Sequence, residues 1–83
     1  MAEKDVAELV SFIMVNLVDH PEDVEIQRLE KDGEEIFQVS VHDDDLGKVI
    51  GKGGQTAKSV RSLLQAVGAR MNRHYGFEIA EED

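Results

Sequence analysis

The sequence predicts an α+β domain in the order α-β-β-α-α-β, with a three-stranded mixed sheet and the helices packed on one face. Three observations point there. Asp32-Gly33 sits between two strand-like runs, two helically spaced apolar runs meet at a joint holding four of the seven glycines, and Tyr75, Phe77 and Ile79 alternate near the C-terminus. The 83 residues make one domain, 1–83, with an N-terminal helix over 3–19, a core over 23–80 and an acidic tail over 81–83.

From Glu3 to Val18, Val6, Leu9, Val10, Ile13 and Leu17 fall on one helical face. Asp5 and Glu8 have capping-box spacing, and Pro21 stops the helix near Asp19-His20. Phe12 and Val15 project roughly 180 to 240° from Val6 at 100° per residue. They make either a broad core stripe or a surface for a partner.

Val24–Lys31 and Glu34–His42 read as strands closed by a type I′ turn at Asp32-Gly33. Counting outward pairs Lys31 with Glu34, Arg28 with Phe37, Ile26 with Val39 and Val24 with Val41, and sets Leu29 opposite Ile36 on the other face. That second face is expected to be more open to water.

Asp43-Asp44-Asp45 ahead of Leu46, Val49 and Ile50 reads as a helix start, with an Asp capping free amides. Three adjacent Asp lack the alternating ligands and distal Glu of a calcium loop, so no metal is expected. The short helix ends at Gly51, and a longer one runs from Gln55 to Asn72 with Ala57, Val60, Leu64, Val67 and Met71 on its buried stripe. Gly68 inside it calls for close packing or an early frayed end. A third strand, His74–Ala80, lies parallel to the second by the right-handed crossover rule.

The net charge of −9 opposes a polyanionic ligand, but the charge is segregated. Between Leu46 and Phe77 there is no acid, while Lys48, Lys52, Lys58, Arg61, Arg70 and Arg73 give +6; the other residues carry all 18 acids against three bases. Cysteine is absent and no apolar run approaches a membrane span, which favours a cytoplasmic protein.

The glycine joint lacks the spacing of the phosphate loop of nucleotide hydrolases and of the dinucleotide fingerprint, and no strand leads into it. His20, His42 and His74 are scattered, and no nucleophile has a partner in sequence reach, so an enzyme is not expected. A Gly-x-x-Gly turn between two helices instead lets a sugar-phosphate strand approach bare backbone, beside the positive end of a helix and Lys52.

Val49-Ile50-Gly51-Lys52-Gly53-Gly54-Gln55-Thr56 resembles the signature of the KH domain, whose GXXG loop clamps about four nucleotides of a single strand. The element order resembles the type II form, and length and layout resemble the KhpA family of small bacterial KH proteins. The resemblance implies a non-enzymatic, cofactor-free protein that binds single-stranded RNA. Gly51, Lys52, Gly53 and Gly54 would be the clamp; Val49, Ile50 and Ala57, with Val39 or Val41, the floor under the bases, though Val49, Ile50, Val39 and Val41 fit plain core packing equally well; Lys48, Lys58 and Arg61 the groove lining. The resembled family forms homodimers, pairs with the larger KH protein KhpB (Jag), and is tied to RNA chaperoning, cell elongation and envelope growth. Phe12, Val15, Leu29 and Ile36 are the candidate contacts for such a partner. An interaction module with RNA binding secondary is the alternative.

Overall fold

Asp32 and Gly33 take φ of 54° and 81°, the left-handed pair a type I′ turn requires. In the computed structural model, which describes residues 3–81, this turn joins β1 (Glu25–Lys31) to β2 (Glu34–Ser40). The strands pair antiparallel with Lys31 opposite Glu34, Leu29 opposite Ile36, Arg28 opposite Phe37 and Ile26 opposite Val39, the register counted from the turn. Val24 and Val41 lie just beyond the ladder. β3 (Tyr75–Ile79) runs parallel to β2, giving the sheet order β1-β2-β3.

Three helices complete the fold: α1 (Glu3–Leu17), α2 (Leu46–Ile50) and α3 (Gln55–Met71). All three contribute to one core, in which Phe37 and Val39 of β2 and Tyr75 and Phe77 of β3 meet Val6, Val10 and Met14 of α1, Val49 of α2, and Val60 and Leu64 of α3. The rings of Phe37 and Tyr75 meet edge to face, 5.6 Å between centroids.

Several boundaries differ from expectation for local reasons. α1 ends at Leu17, two residues before the expected stop, and Pro21 opens a single 3₁₀ turn over Pro21–Asp23. Asp5 and Glu8 fall inside α1 rather than ahead of it. Met14, off the expected stripe, is fully buried, while Leu9 and Ile13 are half-buried and Leu17, last in the helix, is exposed. Gly68 is tightly packed, because a Cβ there would lie 2.6 Å from the Arg73 carbonyl oxygen, and α3 ends through Asn72 in the left-handed conformation.

Of the four candidate partner contacts, Phe12 is 66% exposed and Leu29 37%, Val15 is half-buried, and Ile36 is only 7% exposed. Ile36 is therefore corrected from an open apolar residue to a buried one. Its β3 neighbour is Gly76, which the side chains of Glu34 and Ile36 both approach. Of the acidic tail over 81–83, only exposed Glu81 falls within the described residues. No helix among the described residues is long and apolar enough to cross a membrane.

Candidate nucleic-acid interface

α2 stops because Gly51 leaves the helical region, at φ 81° and ψ 166°. Any side chain there would be strained, and a Cβ would also collide with Oγ1 of Thr56. Lys52–Gly54 then makes one 3₁₀ turn, with Gly53 at φ 63° and Gly54 at φ 77°. A Cβ on either of these two would meet no heavy atom within 4 Å. The first glycine is thus locked against the protein, while the last two face open space.

Gly54 is the N-cap of α3, and no side chain caps that helix. The turn amides are partly used within the joint, Gly54 N donating to Gly51 O at 3.0 Å and Gln55 N to Lys52 O. What remains is the positive end of a 17-residue helix with no acid in its first turn. Lys52 stands exposed at the tip of the turn.

The opposite end of α2 is built from side chains. Asp45, fully buried, accepts hydrogen bonds from Asp19 N at 3.1 Å, His20 N at 3.0 Å and Lys48 Nζ at 3.3 Å. Burial pushes its carboxyl up, but the amides of Asp19 and His20 and the ammonium of Lys48 outweigh that and hold it below the usual carboxylate range. Asp45 is the residue before α2, yet its side chain caps nothing in that helix. The expected Asp cap is replaced by His42, whose Nδ1 accepts from Asp44 N at 3.0 Å at the start of the 3₁₀ turn Asp43–Asp45.

The same arrangement changes the reading of Lys48. Its ammonium lies 3.1 Å from Asp19 and 3.3 Å from Asp45. The hydrogen bonds it donates to Asp19 and Asp45 raise its pKa. Lys48 therefore serves the anchor of α2, while Lys58 and Arg61 stand exposed on α3. Arg61 Nη2 donates to Phe77 O at 3.1 Å, which ties α3 to the free edge of β3.

The proposed apolar floor also divides. Val49 and Val39 are fully buried in the core, so neither can touch a base without unpacking it. Ile50, Ala57 and Val41 are half-buried, leaving Ile50 and Ala57 as the apolar residues next to the turn.

Sequence reasoning missed the Asp45 anchor and the meeting of His20 with His42, whose rings stack with centroids 4.0 Å apart. Neither has a local signal. Asp45 reads as one of three equivalent acids, and His20 lies 25 positions away on the far side of a hairpin.

A helix, a positive-φ Gly-x-x-Gly turn and a second helix, on a sheet whose third strand returns parallel, form a distinctive combination, and the family model described as "KhpA/KhpB, KH domain" matches residues 7–79. The chain belongs to the KhpA/KhpB family of KH domains. The chain is 40% identical over 79 residues to the RNA-binding protein KhpA of Bacillus subtilis (strain 168), covering 95% of this chain and 98% of that one. It is 43% identical over 75 residues to the RNA-binding protein KhpA of Chlamydia pneumoniae, covering 90% and 96%. With that of Listeria monocytogenes serovar 1/2a (strain ATCC BAA-679 / EGD-e) it shares 45% over 74 residues, covering 89% and 97%. This KH domain thus matches its relatives over almost their whole length, and the family is an RNA-binding one, not a family of enzymes.

Proposed function

We propose that this KH domain binds single-stranded RNA through Gly51, Lys52, Gly53 and Gly54, with the phosphates against the turn and Lys52 and the bases toward Ile50 and Ala57. The observation that carries the reading is the pair of open, left-handed glycines, Gly53 and Gly54, leading into the uncapped start of α3. The acid-free stretch from Leu46 to Phe77 supports it, as do the relatives named RNA-binding proteins. Lys58 and Arg61 extend the positive surface along α3.

A turn that touches backbone holds a strand without choosing its sequence. Binding should accordingly be weak and tolerant of sequence, the behaviour of an RNA chaperone, and affinity would rise through a second linked site. Phe12, at 66% exposed the largest exposure among the big apolar side chains described, favours a protein partner on α1, a second copy or a larger KH protein. The test is a titration of fluorescent single-stranded RNA against the wild type and a Lys52→Asp, Gly53→Asp double variant. The expected result is at least a tenfold loss in the folded variant. Equal binding by both would remove the clamp and leave the interaction-module reading.

A further inference from the structure

At the end of α2 away from the glycine turn, three side chains from two segments converge: His20, between α1 and the 3₁₀ turn at Pro21, and His42 with Asp44, in the connection from β2 to α2. Each offers a ligand atom, and the three atoms lie within 4.8 Å of one another. Asp44 Oδ2 is 4.0 Å from His20 Nε2 and 3.7 Å from His42 Nδ1. The geometry points to a binding site for a divalent transition-metal ion of the zinc type, held by His20, His42 and Asp44.

Four features support that assignment. Two imidazoles and one carboxylate are a borderline donor set that suits Zn²⁺, Ni²⁺ or Cu²⁺ rather than the oxygen-seeking Mg²⁺ or Ca²⁺. The backbone beneath the cluster is fixed, since His20 N donates to the buried Asp45 carboxylate and Asp45 N to His42 O at 2.8 Å. Glu22 Oε2 lies 3.9 Å from His20 Nδ1, the nitrogen that would carry the proton while Nε2 binds metal, so a small closure would give the carboxylate–histidine pairing that orients metal ligands. The surroundings are acidic, with Asp19, Asp43 and Asp45 close in sequence to the ligands, and Lys48 already shared between Asp19 and Asp45.

The cluster must move to bind. Bonds of 2.0–2.1 Å in a tetrahedron set donors about 3.3 Å apart, so the 3.7 and 4.0 Å separations to Asp44 close by several tenths of an ångström and the two imidazoles, whose donor atoms lie within 4.8 Å, by up to about 1.5 Å. The two rings, now 22° from parallel, splay so that their lone pairs converge. A neutral His42 that ligates through one nitrogen carries its proton on the other, so its acceptor bond from Asp44 N is exchanged for the metal bond. Three protein ligands leave at least one coordination position to water. The ion would staple the segment after α1 to the segment before α2, steadying the helix that leads into the glycine turn.

The test is calorimetric titration and thermal melting of the untagged chain with Zn²⁺, alongside His20→Ala, Asp44→Asn and His74→Ala. We expect one Zn²⁺ per chain and a melting temperature that rises with Zn²⁺ in the wild type and in His74→Ala. Both effects should fall at least tenfold in affinity in His20→Ala and in Asp44→Asn, whose side chain is exposed enough that folding is retained. Absence of stoichiometric binding would overturn the site. So would an equal response to Mg²⁺, or Zn²⁺ binding unchanged in the two ligand variants, since either would mean diffuse attraction to an acidic surface.

Discussion

The two ends of α2 are separated by five residues and built from opposite materials. At the first, the buried Asp45 carboxylate gathers three donors and two histidines stack. At the second, glycines expose backbone, no side chain caps the next helix and Lys52 stands exposed. Side chains that satisfy one another make an anchor, and backbone left bare beside positive charge makes the proposed receptor. Lys48 shows how the division works, since it sits one turn from the glycines but is held by the carboxylates of the anchor.

Removing the anchor should have the largest effect. Asp45→Ala leaves the amides of Asp19 and His20 without their acceptor and is expected to lower the melting temperature by about 20 °C, measured by circular dichroism. The same carboxylate sets an acid limit. Because its folded pKa lies below its unfolded value near 3.8, its contribution to stability is present above that value and is lost as pH falls further through the folded pKa. Acid unfolding of Asp45→Asn should lack that component.

The receptor end should break unevenly. Gly51→Ala meets both a positive φ and Thr56, and is expected to cost about 2 to 3 kcal/mol in denaturant unfolding. Gly53→Ala, in open space, should cost about 1 kcal/mol through its left-handed backbone alone. Smallest in stability but sharpest for function is the lysine pair. Lys52→Ala should weaken RNA binding and reduce the slope of log K against log salt by about 0.7, while Lys48→Ala should leave that slope unchanged and lower stability instead.

How much of this was legible in the sequence depends on the range of the interaction concerned. The hairpin register followed from Asp32-Gly33, because a two-residue turn sets every pair outward from it. The parallel third strand followed from the length and hand of the two-helix crossover, and the glycine turn from its own spacing. Features set by tertiary packing were not readable. The burial of Met14 depends on how α1 rolls against the sheet, and the role of Asp45 on amides in a loop 25 and 26 positions away. Asp43, Asp44 and Asp45 look alike in a row of letters, yet only Asp45 is enclosed.

The most direct test of the division between anchor and receptor is a map of backbone amide shifts on the ¹⁵N-labelled domain during titration with single-stranded RNA. The shifts should concentrate at Gly51–Ala57 and along the start of α3 to Arg61, with His20 and Asp43–Asp45 unmoved. Shifts concentrated on α1 around Phe12 or at the acidic turn, with the glycines silent, would contradict that division.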